Sequence, residues 1–222
     1  MHFADRREAG KLLAQALQKY RNEATVVYAL PRGGVVTALE IAHFLQAPLD
    51  LIITRKIGHP LQPEYAIAAT AENGHTIKTQ GEVKMINQEW FANEVSRQRQ
   101  EAKRRREKYL PGRAEIPVKG KIAILVDDGI ATGLTMRVGI QELKHRQPKK
   151  IVVAVPIAPQ TTANLIASEV EEMIALDVPQ DRHYLGAVGA YYDDFSPVED
   201  EEVMTLMQSY EKEYANIKKA AP

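Results

Sequence analysis

Apolar positions at Ala9, Leu12, Leu13, Ala16, Leu17 and Tyr20 recur at helical spacing, so an amphipathic helix is expected from Asp5 onward. The period then changes. Thr25–Leu30 (TVVYAL) is β-branched and aromatic and runs straight into Pro31-Arg32-Gly33-Gly34. A helix over roughly Val35–Gln46 and a strand over Leu49–Thr54 follow, and this strand–turn–helix–strand order is a βαβ unit with parallel strands. Ala66–Thr79 is different, with two β-leaning stretches around Glu72-Asn73-Gly74-His75, where Asn-Gly signals a hairpin. Asn87–Tyr109 reads as a polar helix with a thin apolar stripe (Trp90, Phe91, Val95, Ala102, Tyr109), which buries little. The α/β pattern resumes with strand Lys121–Val126, helix Leu134–His145, strand Lys150–Ala158, a helix around Thr161–Val170 and strand Met173–Val178. Glu199–Glu202 then opens a terminal helix running toward Lys218. The expected architecture is α/β, a parallel twisted sheet flanked by helices, forming a single domain over 1–222. A hairpin-plus-helix lid, flexible and inserted at 57–118, and a small C-terminal hood at 177–222 complete it.

Composition narrows the chemistry. The 222 residues contain no cysteine, which excludes disulfides, cysteine-ligated zinc, iron–sulfur clusters and thiol catalysis. Met1–Gly10 is charged and lacks an apolar core, and Ile151–Ser168 is interrupted by Pro156 and Pro159, so neither a secretory signal nor a membrane span is expected. A soluble cytoplasmic protein without membrane contact is the default. The zero net charge conceals two runs: +5 between Arg97 and Lys108, and −6 between Asp193 and Glu202. Two such fields suit a site that handles an anion and a metal ion, or two solvated helix faces.

The strongest chemical signal is Leu125-Val126-Asp127-Asp128-Gly129-Ile130-Ala131-Thr132-Gly133-Leu134-Thr135. A buried strand ends in two carboxylates, and a glycine-bounded loop opens a helix. Such a loop and helix N-terminus favour an anion, with Thr132 and Thr135 adding hydroxyl donors. Carboxylates beside a phosphate repel it unless something separates them, and a ribose 5-phosphate does so: hydroxyls to Asp127 and Asp128, phosphate in the loop. A nucleotide P-loop needs Lys before the Thr, and a dinucleotide fingerprint needs a third glycine; neither is present.

The motif VDDGIATG resembles the phosphoribosyl pyrophosphate signature of the type I phosphoribosyltransferases, and the resemblance spans roughly Thr25–Ala158. It implies a pyrophosphate loop at Pro31, Arg32, Gly33 and Gly34, in a form similar to the xanthine-guanine branch, where a non-prolyl cis peptide is expected at Pro31–Arg32. It also implies that Arg55 and Lys56, after the second strand, reach the pyrophosphate. The implied reaction transfers the phosphoribosyl group of phosphoribosyl pyrophosphate to a nitrogen heterocycle, with a slight purine lean, using Mg²⁺ in a homodimer. Asp127, Asp128 and Arg32 would be catalytic. The family's hypoxanthine-guanine members carry a third acid where this chain has Ala131, so Glu64 is the candidate base. Gly186–Asp193 is similar to a purine-branch segment, which makes Asp193, with Asp127 and Asp128, a candidate metal ligand. Gly186 stands where that branch has its stacking aromatic, leaving Tyr191 and Tyr192 as candidates for the base platform. The alternative is a non-enzymatic sensor of nucleotide or phosphoribosyl pyrophosphate on the same fold, its Arg97–Lys108 run touching nucleic acid; as a partner of the enzyme, nucleic acid is not expected.

Overall fold

A computed structural model describes residues 1–220. Five parallel strands make up the main sheet: β1 Thr25–Ala29, β2 Leu49–Leu51, β6 Ile122–Val126, β7 Lys150–Ile157 and β8 Glu172–Asp177. Their order across the sheet is β2-β1-β6-β7-β8. β1 is buried along its whole length between β2 and β6. Its side chains alternate between two cores. Val27 and Ala29 face the helices α1 (Arg6–Ala16), α2 (Gly33–Leu45) and α7 (Asp200–Ala220), with Leu13, Ile41 and Met207 among the neighbours. Val26, Tyr28 and Leu30 face α5 (Leu134–His145) and α6 (Gln160–Ala167), where Ile140 and Ile166 pack. This is the flanked parallel sheet the sequence predicts.

Beyond β2 the chain departs from expectation. The single strand expected over Leu49–Thr54 is two: β2 stops at Leu51, and β3 (Thr54–His59) turns away into a second, antiparallel sheet. There it pairs with β4 (Gln62–Ala71), which pairs in turn with β5 (Thr76–Lys78). The β4–β5 turn falls at Glu72–His75, where Asn-Gly placed it, whereas the β3–β4 hairpin was not anticipated. An unbroken apolar run, Leu49–Ile53, conceals the break because Ile52 and Ile53 are themselves fully buried.

A short helix, α3 (Gln80–Lys84), leads to α4 (Gln88–Tyr109). The apolar contacts of α4 are few, as its stripe predicts, but polar ones fix its second half. Arg106 donates to the Leu51 carbonyl (2.9 Å) and to Asp50 (3.2 Å), while Lys108 and Tyr109 both donate to Asp200 (2.8 and 2.6 Å). The two charge runs therefore meet, Lys108 contacting Asp200 and Glu201. Within the basic run, Arg97 pairs with Glu94, and Arg104 and Arg105 with Glu101. The separate fields inferred from sequence are largely neutralised by one another and by local acids.

Candidate active site

In the main sheet, β1 connects outward to β2, and the chain later returns to β6 on the other side. The carboxyl ends of β1 and β6 thus border a topological switch point, the usual ligand crevice of open parallel sheets. A cleft of about 400 Å³ opens there. Its walls are the loop after β1 (Pro31–Gly33), the start of β3 (Thr54–Lys56), the loop after β6 (Asp127–Gly133) and Thr135. Arg32, Arg55, Lys56, Asp127, Asp128 and Thr132, drawn from three loci far apart in sequence, therefore share one cavity. Arg105 of α4 adds a cation that motif reading did not single out. A larger cavity, about 700 Å³, lies at the opposite end of the sheet beside Thr25 and Leu49, away from the acid pair.

The two loops are built around each other. The Pro31–Arg32 peptide is cis, as expected. A Cβ on Gly33 would sit 1.8 Å from Asp128 Oδ2, and one on Gly34 would sit 2.9 Å from Asp127 Oδ1. The Gly-Gly pair is required because the acidic pair presses against the N-terminus of α2, whose partial positive charge favours carboxylates. Gly133, the residue before α5, has φ of 77°, a left-handed conformation that lets the loop turn into the helix. The loop is braced by Ile130 N–H donating to the Ile157 carbonyl (2.8 Å) and by the Thr162 hydroxyl donating to the Ala131 carbonyl (2.9 Å). What remains facing the cleft is Thr132, Thr135 and the N-terminus of a twelve-residue helix, a cradle for an anion.

The electrostatics are unequal across the pair. Burial, followed by the neighbouring Asp128 charge, holds the Asp127 carboxyl well above the usual range. Burial also raises Asp128, but Arg6 opposes it through a 2.7 Å hydrogen bond from Nε to Oδ2. Arg55 is pushed down by burial and then by nearby Arg105, and its Nε donates to Gln98 of α4 (3.0 Å). Arg105 is paired with Glu101, but Arg55 and Lys56 have no carboxylate within salt-bridge distance among the described residues, and cations left in this way suit an anion-binding wall. Arg32 is partly engaged by Glu199 and Asp200 at 3.3 and 3.6 Å.

A model of the phosphoribosyl transferase domain matches residues 4–180. The chain belongs to the phosphoribosyl transferase domain family. Two curated proteins of Mycobacterium tuberculosis, from strains CDC 1551 / Oshkosh and H37Rv, carry provisional names as phosphoribosyl transferases. Each is 38% identical to this chain over 215 residues, covering 96% of it and 48% of the relative. The chain thus spans about half the length of these curated relatives. The crystal structure of TT1426 from Thermus thermophilus is 40% identical with a TM-score of 0.78, covering 95% of this chain and 99% of that one.

Within this phosphoribosyl transferase domain, several expected site residues lie elsewhere. Tyr191 and Tyr192 are buried beside Phe3 and Phe195, not exposed as a ring platform. The Tyr191 hydroxyl accepts from the Leu185 N–H (3.0 Å), and the Tyr192 hydroxyl donates to the Asp128 carbonyl (2.6 Å). They pack the hood onto the acid loop. Asp193 is solvent-exposed, contacts His2 at 2.7 Å and does not line the cleft. Glu64 is exposed on β4, and the β3–β4 hairpin carries it away from Lys56, which pairs with Ala69. Arg55 and Lys56 follow β2 as expected and line the cleft, but they do so from within β3.

Among the described residues, no group of three or more His, Asp or Glu is placed to hold a metal ion. The donor set fits Mg²⁺ only in the manner typical of phosphate-bound magnesium, through ligand oxygens, waters and one or two carboxylates, here Asp127 and Asp128. No helix among the described residues is long and apolar enough to cross a membrane.

Proposed function

We propose that this chain transfers the 5-phosphoribosyl group of phosphoribosyl pyrophosphate to a ring nitrogen of a heterocycle, releasing pyrophosphate. The observation that carries the reading is the convergence in one cleft of an acid pair, a glycine-bounded anion cradle and four cations. In this reading the 5′-phosphate lies in the loop Gly129–Gly133 with Thr132 and Thr135, and the ribose hydroxyls donate to Asp127 and Asp128. The diphosphate extends along Pro31–Gly34, Arg55 and Lys56.

The bond from C1′ to the diphosphate oxygen breaks while a bond from nitrogen to C1′ forms, and the nitrogen gives up its proton. Positive charge develops on the ribose and negative charge on the departing diphosphate. Asp127 and Asp128 hold the sugar close to the first, while Arg32, Arg55, Lys56 and Arg105 stabilise the second, so catalysis is mainly electrostatic. Mg²⁺, when bound with the diphosphate, supplies further positive charge to the leaving oxygens. Glu64 is exposed and does not line the cleft, and in this reading the proton passes to solvent or to a phosphate oxygen.

A second reading has one observation in its favour: among the described residues no aromatic side chain lines the cleft, so a ring acceptor finds no stacking platform there. A regulator that binds phosphoribosyl pyrophosphate without an acceptor would need none. Pyrophosphate release, followed with Mg²⁺ and a panel of purines, pyrimidines and azoles, separates the two. Release that requires one heterocycle supports the transferase. Tight binding with no release from any acceptor supports the regulator, and no binding at all contradicts both.

A further inference from the structure

The role of Asp128 in the proposed sugar contact depends on a residue outside every recognised motif. Arg6 opens α1, 122 positions from Asp128, yet its Nε donates to Asp128 Oδ2 at 2.7 Å. Its Nη1 donates to the Ser196 carbonyl at 2.9 Å, and the guanidinium lies 3.8 Å from the centre of the Phe195 ring. The Arg6 side chain is only 10% exposed. It does not line the cleft. Instead it backs Asp128 from behind and borders a separate cavity of about 250 Å³ beside Asp194 and Ser196. The fit leaves no slack, because a Cβ on Gly33 would lie 2.8 Å from Arg6 Nε as well as against the carboxylate. The Tyr192 hydroxyl, likewise outside the cleft lining, donates to the Asp128 carbonyl.

A planar guanidinium stacked on an aromatic ring, with two nitrogens committed in different directions, has little rotational freedom. A carboxylate bonded to it through one oxygen inherits that fixed orientation, and its other oxygen is aimed. We propose that Arg6 is the positioning residue of this site: it locks the Asp128 carboxylate so that one oxygen faces the sugar, and it couples the hood at Phe195–Ser196 to the acid loop. This rests on the function proposed above. Arg6 touches no reacting atom in this account and acts only through Asp128.

The test is a thermodynamic cycle on binding of phosphoribosyl pyrophosphate with Mg²⁺, measured by calorimetry on the full chain. Arg6→Met and Asp128→Asn should each weaken binding by about 10-fold or more, the scale of one hydrogen bond to a charged group. The double variant should bind within about 3-fold of Asp128→Asn alone, because the two residues act as one unit. Arg6→Lys, which keeps the charge but not the fork, should fall between Arg6→Met and the unmodified chain. Effects that multiply in the double variant, or Arg6→Met binding like the unmodified chain, would overturn the proposal. Should Arg6→Met fail to fold, Arg6→Lys replaces it in the cycle with the same criterion. A ligand-free readout separates failure of this inference from failure of the function. Amide exchange in Arg6→Met, or in Arg6→Lys where that variant replaces it, should rise at 128–133 and 192–196 together while β7 is unchanged. If the unmodified chain binds no phosphoribosyl pyrophosphate, the functional reading falls and this exchange result alone decides the coupling: a joint rise upholds it, and no rise refutes it.

Discussion

Two acidic centres of this chain, Glu142 fully buried and Asp127 partly buried at the cleft, differ in how the protein meets their charge. Glu142 on α5 is 1% exposed and accepts from Asn73 Nδ2 (2.7 Å), His75 Nδ1 (2.8 Å) and Arg146 Nε (3.0 Å). Burial alone would raise its carboxyl, but Asn73, His75 and Arg146 together hold it below the usual range. Asp127 at the cleft is held well above that range by burial and by Asp128, although Lys56 opposes the shift. One centre is completed by the protein's own donors and serves the fold. The other is left incomplete beside a cradle and a wall of cations, and an incomplete polar centre of that kind is where a ligand adds most. Incompleteness alone does not make a site, however. Glu72 is 3% exposed with a long 3.5 Å hydrogen bond from Arg106, and it lies away from the cleft. What distinguishes Asp127 is the combination with the glycine loop and Arg32.

The largest expected effects fall oppositely at the two centres. Glu142→Ala leaves Arg146 and His75 without their shared acceptor and should cost about 3 kcal/mol of stability, read by denaturant unfolding, with ligand affinity unchanged. Asp127→Asn should leave stability unchanged or raised at pH 7, since it removes a charge the fold disfavours, yet weaken phosphoribosyl pyrophosphate binding by about 10- to 100-fold. Equal stability losses in both variants would erase the distinction.

Glu72 sharpens the comparison through pH. Burial, only partly offset by Arg106, lifts its carboxyl from the ordinary 4.5 to about 7. A folded value above the unfolded one means that the stability is present below about pH 4.5 and is lost as pH rises through 7. Glu72→Gln should therefore raise the melting temperature at pH 8 and change it little at pH 4, with a gain of at most about 3 kcal/mol. A gain that is equal at both pH values would remove titration as its cause.

Gly33→Ala forces a methyl into Asp128 Oδ2 and should cost about 1–3 kcal/mol, seen more in ligand affinity than in unfolding because the displaced group is the carboxylate itself. Arg105→Ala is the smallest effect expected. It is a cation at the edge of the cleft already paired with Glu101, worth at most about 1 kcal/mol of binding, and its contribution should shrink as salt is added.

The sequence made legible whatever is contiguous in it. Asp127–Thr135 carries strand end, acids, loop and helix start in one run, and Pro31–Gly34 does the same after β1, so both loops are where the pattern placed them. Features made by distant residues were hidden. Arg6 looks like any charged residue in the first turn of a surface helix, and only the fold brings it to Asp128. The β2–β3 break lies inside an apolar run that stays buried on both sides of it, so hydropathy gives no boundary. Tyr191 and Tyr192 look like a ring platform because aromatic composition does not say which way a side chain faces; their hydroxyls meet backbone groups, the Tyr192 ring meets Phe3 and Phe195, and the Tyr191 ring stacks on Tyr184. The opposed charge runs are real in sequence, and their mutual contact at Lys108 and Asp200 is a tertiary fact.

The most direct measurement is a calorimetric titration of the unmodified chain and of Asp127→Asn with phosphoribosyl pyrophosphate in the presence of Mg²⁺ at neutral pH. Saturable binding at one site per chain that is weakened at least about 10-fold by the substitution is the predicted result. An absence of binding to the unmodified chain, or equal affinity in the two proteins, would contradict the assignment of this cleft.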